Sequence, residues 1–118
     1  MADRLHTSHK ADEIISALRS HTKLNKATIA RMAFSYSLSK IGKNVSRSTN
    51  FAGSEMRRVS FFGEDEILVK TLIQQVYQKQ IQEDELYSGK SIVKDHIDNG
   101  AMMLWVLYQE NGEDINRW

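Results

Sequence analysis

Three cations crowd one short stretch of the chain. Lys23, Lys26 and Arg31 fall within SHTKLNKATIARMAFSYSLSK, residues 20–40, on either side of Asn25. The Asn25 side chain can accept a hydrogen bond from the free N–H groups of a first helical turn, and Ala27, Ala30 and Ala33 behind it favour a helix. The cations therefore lie around the positive end of a helix dipole, which repels them. An anion bound there removes that repulsion, and a phosphate backbone is the commonest such anion. Lys40, Lys43, Arg47, Arg57 and Arg58 carry the positive charge into the following segment. The chemistry these eight residues suit is a grip on a polyanion. Each also has the plainer reading of a solvated surface cation.

Nothing comparable supports catalysis. His6 and His9 are three apart, His21 and His96 stand alone, and there is no cysteine and no His-Glu-x-x-His pattern, so a zinc site is not expected. Asp95, His96 and Asp98 have the types of a base and its orienting group. On a helix such a triplet more often bonds to neighbouring chain. Gly42-Lys43 lacks the upstream glycine and flanking strand of a phosphate loop. The serines and threonines lie in no recognisable nucleophile context. The expectation is a protein that is not an enzyme and requires no cofactor. Without cysteine it has neither disulfides nor a thiol to carry a persulfide.

Charge is distributed unevenly. The formal net charge of +1 conceals 11 basic against 4 acidic residues from Met1 to Gly63, net +7, and 5 against 11 from Glu64 to Trp118, net −6. Such polarity suits a basic face for a polyanion and an acidic face turned away, or simply two solvated surfaces of opposite sign.

The elements that must position these residues read mainly α, as a compact domain of about four helices spanning 1–118. Arg4 to Ser8 shows a weak alternation and is a short strand or a tail. Thr7 or Ser8 caps a first helix to about Ser20, with Ala11, Ile14, Ile15 and Leu18 as its apolar stripe. His21 to Leu24 turns into the second helix, which ends near Gly42. Its apolar positions read as Ile29, Met32, Ala33, Tyr36 and the Lys40 stem. This pattern fits a ribbon-helix-helix or helix-turn-helix unit, and also any helical hairpin. Lys43 to Gly63 is irregular, basic and anchored by Phe51, Val59, Phe61 and Phe62. Glu64 to Gln82 is a helix whose Ile67, Leu68, Leu72, Ile73, Val76 and Tyr77 are expected to pack inward. Glu83 to Lys90 reads as a polar link. Ser91 caps the last helix, Ile92 to about Tyr108, interrupted by Gly100, where a close backbone contact or a bend is expected. Ala101 to Tyr108 is apolar on every side, which calls for burial in the core or at a subunit interface. Trp118, in a frayed tail, is a candidate anchor. No secretory leader or bilayer-length apolar run is evident, so a cytoplasmic location is expected.

Leu18 to Lys40, FGEDEILVKTLIQQ (Phe62 to Gln75) and IVKDHIDNGAMML (Ile92 to Leu104), in this order, resemble the DndE family of the DNA phosphorothioation (sulfur-modification) system. The resemblance covers most of the chain, with His96, Ile97 and Gly100 adding to it. It implies a small helical protein related to ribbon-helix-helix binders. It further implies a homotetramer that binds double-stranded DNA, nicked duplex in particular, through surface lysines and acts with DndC- and DndD-like partners. Sulfur is delivered by other components of that system. The poor strand signal departs from a swapped base-reading ribbon, so backbone-directed binding is expected instead.

Overall fold

The computed structural model describes residues 4–116, with side chains through Asn111. Its scaffold is a crossing of two helices. Helix α2 (Lys26–Lys40) lies against α6 (Ile92–Asn116), and α1 (His9–Thr22) packs beside both. The α2–α6 approach is backbone to backbone. A Cβ built on Gly100 would lie 1.8 Å from the Ala33 carbonyl oxygen, so only glycine permits this crossing. Small residues on α2 supply the other half of the fit. Its buried side chains are Ile29, Ala30, Ala33, Phe34, Ser37 and Leu38. The inward face is therefore rotated from the expected one: Met32 is exposed and Tyr36 only half-buried. Alanine at 30 and 33 lets the helices close up, whereas Met32 has no room there.

The local signals at the helix starts hold. Ser8 Oγ accepts from the Ala11 N–H at 3.0 Å, and Asn25 Oδ1 accepts from the Thr28 N–H at 2.8 Å. Helix α1 ends with Lys23 in the left-handed region, φ 66°. A single-turn 3-10 segment, Gly42–Asn44, follows α2.

The N-terminal residues do form a strand. β1 (Arg4–His6) pairs antiparallel with β2 (Glu55–Arg57), placing Leu5 opposite Met56, and both side chains are buried. The ribbon closes within one chain. β2 and the short helix α3 (Arg58–Phe62) lie inside the segment expected to be irregular. Phe61 and Phe62 enter the core, stacking edge-on with each other at 5.0 Å between centroids and with Phe34 and Tyr87 around them. The supposed polar link contains α5 (Glu83–Leu86), and Leu86 and Tyr87 are fully buried. The Tyr87 hydroxyl donates to the Met56 carbonyl at 2.8 Å, tying this turn to the ribbon.

Two expectations about burial reverse. Helix α4 (Glu66–Tyr77) buries Ile73 alone completely, while Ile67, Leu68, Leu72 and Val76 face solvent. In α6 the buried half is the polar one, Ile92 to Ala101, and Met102, Val106 and Leu107 beyond it are exposed. The core therefore covers only one side of Ala101 to Tyr108: Ala101 is buried and Leu104, Trp105 and Tyr108 are half-buried against it. The helix continues past the expected end near Tyr108, and the proposed anchor Trp118 lies outside the described residues.

Candidate nucleic-acid interface

The eight cations singled out by sequence meet three fates. Lys23, Lys26 and Arg57 come together at the corner where α1 ends and α2 begins. One groove there is lined by Ser16, Arg19, Ser20, Lys23 and Lys26. A second, adjoining through Lys26, continues past Asp12, Ser54 and Glu55 to Arg57 and Ser60. Its two acids already have partners: Asp12 accepts from Lys26 Nζ at 3.4 Å, and Glu55 from Arg4 at 2.9 Å. Lys26 also reaches Ser54 Oγ at 3.4 Å, so its ammonium helps pin the ribbon as well as lining both grooves. Arg19 completes this corner, although sequence reasoning passed over it. It follows Leu18 by one position, and its turn of α1 faces the start of α2; the basic last turn of α1 was the available signal.

Lys40, Lys43 and Arg47 stand apart. Helix α2 is 15 residues long, so Lys40 is separated from Lys26 by roughly 20 Å of helix axis. Lys40 and Lys43 are exposed, with Lys40 Nζ 6.0 Å from the centre of the Tyr36 ring. Arg47 is exposed but rests 3.3 Å from Asp95.

Arg31, half-buried, and Arg58, buried, are engaged by other parts of the chain. Arg31 donates to the carbonyls of Ser60 and Phe61, at 3.3 and 3.0 Å, and to Thr28 Oγ1 at 3.2 Å, capping the end of α3. Arg58 is buried to 7 % exposure and holds both Glu66 and Glu83, with contacts of 2.7 to 2.9 Å. Hydrogen bonds to Glu66, ahead of those to Glu83, push its already high pKa further up. Its partners lie 8 and 25 residues downstream, beyond the reach of any local pattern. The eight cations thus do not form one continuous surface in a single chain.

Behind the interface, α6 carries a buried polar network. Lys94 Nζ donates to the His6 carbonyl at 2.8 Å, the Asn50 carbonyl at 2.6 Å and Asp98 at 2.7 Å, and lies 4.6 Å from the centre of the Phe51 ring. Asp98 also accepts from the Ser8 N–H at 3.0 Å and from the Ser48 hydroxyl. Asp95 accepts from the Ser48 N–H at 2.8 Å, and burial pushes its carboxyl upward. Asn99 donates to the Ser46 carbonyl at 2.9 Å. The segment from Ser46 to Ser54 is therefore strapped to α6 by polar bonds instead of by apolar packing.

His96 forms a second, separate knot. Its Nδ1 is 2.7 Å from Ser37 Oγ and its Nε2 is 2.9 Å from the Tyr77 hydroxyl, joining α2, α4 and α6. The ring is fully buried, and burial lowers its pKa from 6.5 to about 4. A neutral imidazole has one donor and one acceptor for these two hydroxyls. With Ser37 also fully buried, no substrate reaches this pair, and the Asp95–His96–Asp98 triplet bonds to neighbouring chain as its helical setting suggested. Among the described residues, no cluster of three or more His, Asp or Glu side chains is gathered for a metal ion, and no helix is long and apolar enough to cross a membrane.

No curated protein sequence matches the chain. Among solved structures, it is similar to DndE from Escherichia coli, involved in DNA phosphorothioation modification. That likeness has a TM-score of 0.64 at 18 % identity and covers 88 % of this chain and 99 % of the other. A crystal structure of a glycine-to-lysine mutant of DndE matches with a TM-score of 0.63, at the same identity and coverage. At such identities these likenesses establish the mainly α fold. The model of the family described as DNA sulphur modification protein DndE matches residues 4–111, nearly the whole chain. The chain therefore belongs to the DndE family, whose place is in the DNA phosphorothioation system.

Proposed function

We propose that this protein is a non-enzymatic, DNA-binding subunit of the phosphorothioation machinery, gripping the sugar-phosphate backbone of duplex DNA. The observation that carries this reading is the corner where Arg19, Lys23, Lys26 and Arg57 line two adjoining grooves. Lysine and arginine there are suited to phosphate oxygens, and the flanking hydroxyls of Ser16, Ser20 and Ser60 can donate to the same oxygens. The intrachain ribbon buries Leu5 and Met56 against the core and pairs Arg4 with Glu55. That favours sequence-tolerant backbone contact over base reading. Nicked duplex is the preferred form under this proposal, and DndC- and DndD-like proteins are the partners, in the cytoplasm.

Assembly belongs to the same reading. An apolar groove of about 520 Å³ opens between α1, α2 and the outer half of α6, lined by Leu24, Met32, Leu104, Leu107 and Tyr108 among others. Exposed apolar surface of this kind supports a homotetramer, in which each chain's basic corner recurs by symmetry and the separate clusters add up. It equally favours a second reading, an adaptor that joins the other modification proteins and leaves DNA to them.

Fluorescence anisotropy with intact, nicked and single-stranded DNA over a salt series separates the two. Binding should weaken steeply with salt. Lys23→Ala with Arg57→Ala should weaken binding to all sequences alike and flatten the log–log salt slope by about 2. Unchanged affinity and slope remove this corner from the interface. Purified protein that binds no DNA at moderate salt, yet co-purifies with a partner, supports the adaptor.

A further inference from the structure

Helix α4 turns its oily side outward. Ile67 is 84 % exposed and Leu68 60 %, with Leu72 and Val76 also open to solvent. Together with Thr71 and Gln75 they run along one face at helical spacing. None of these six residues is charged, in a chain of which 26 % are Asp, Glu, Lys or Arg. Thr71 Oγ1 is already satisfied, donating to the Ile67 carbonyl at 2.8 Å. The inward side is taken by Ile73 and by Glu66 on Arg58. A contiguous uncharged stripe of this kind marks an interaction surface.

The ends of the stripe differ in sign. Glu64 and Asp65 stand at its start, and exposed Lys79, 3.1 Å from Glu85, stands just past its end. An antiparallel copy centred between Thr71 and Leu72 sets Ile67 against Val76 and Leu68 against Gln75, and at both ends it brings the acidic start of one helix, Glu64 and Asp65, to the end of the other, beyond which Lys79 stands. The two helix dipoles then also oppose each other favourably. A parallel copy would put acid on acid. The stripe is thus complementary to itself, which is what a closed two-fold contact requires. We infer that two copies of the chain pair through antiparallel α4 helices about an axis beside Leu72. This deepens the assembly reading above and rests on it.

The lack of cysteine makes the test clean. In the full-length chain, Leu72→Cys stands next to the axis and should link two copies on mild oxidation. Leu68→Cys should not link, because its two copies lie about 10 Å apart along the helices, too far for a disulfide. Combined with Gln75→Cys, it should. Leu68→Glu with Leu72→Glu should raise the self-dissociation constant roughly a hundredfold or more by light scattering. Its circular dichroism should be unchanged, since both side chains are exposed. A chain that assembles but neither links at position 72 nor responds to the glutamates pairs elsewhere, and the inference fails. A chain that stays monomeric at every concentration also overturns it, as does loss of binding to a foreign partner with self-association intact. DNA affinity, measured on the same variants by anisotropy, reports separately on the binding reading.

Discussion

Acid should unfold this protein through His96, and the size of the effect follows from its surroundings. The ring is fully buried between Ser37 and Tyr77 and stays neutral down to about pH 4, whereas in the unfolded chain it protonates near 6.5. Its pKa is lowered on folding, so between those values the unfolded chain binds a proton that the folded one refuses. Stability is whole above pH 6.5, declines as pH falls toward 4, and levels off below. At about 1.4 kcal/mol per pH unit the loss comes to roughly 3 kcal/mol, a large share of the 5–15 kcal/mol typical of a domain (about 10 in the middle of that range). Asp95, whose carboxyl burial pushes upward, works in the opposite direction, since it loses stability as pH rises through the carboxylate range. It is present in both proteins of the comparison and cancels. The assay is urea unfolding from pH 7.5 to 4 for the parent chain and for His96→Gln, which keeps a donor and an acceptor but cannot titrate. The variant should start less stable at pH 7.5, and the gap should close by roughly 3 kcal/mol on acidification. A gap that stays constant across this range refutes the argument.

Other perturbations probe the scaffold. Gly100→Ala drives a methyl into the Ala33 carbonyl at 1.8 Å and should cost about 3 kcal/mol or more in thermal or urea unfolding by prising α2 from α6. Lys94→Met leaves Asp98 buried without its cation and frees two carbonyls; a loss of about 3–5 kcal/mol is expected in urea unfolding. Arg58→Ala should lower the melting temperature while leaving the salt slope of DNA binding unchanged, because Arg58 is occupied by Glu66 and Glu83; a flattened slope would return Arg58 to the interface.

What could be read in the sequence was local. Ser8 and Asn25 cap helices because capping is decided within three residues, and both were legible. Gly100 announced a close approach without naming Ala33 as its partner. Residues whose role depends on distant chain were less legible. Lys94 drew no reading, Asp98 was read as bonding to neighbouring chain without its partners, and Arg58 looks like a surface charge until helices α4 and α5 bring Glu66 and Glu83 to it. The α4 stripe shows the converse: periodicity reveals that a helix has an apolar face, but not whether the partner lies within the chain. At the candidate interface, Lys23, Lys26 and Arg57 were legible as charge, whereas Arg19 needed the turn of α1 onto α2 to bring it beside them.

The ammonium of Lys94 has an effect beyond stability. By clasping carbonyls from the first strand and from the Ser46–Ser54 strap, it keeps a flank without regular secondary structure in a single shape before any ligand arrives. Arg57, just past that flank on β2, is thereby presented from an ordered backbone. Under the proposed function, a polyanion docking on the corner that includes Arg57 has little chain disorder left to quench there, so more of each charge contact survives as affinity.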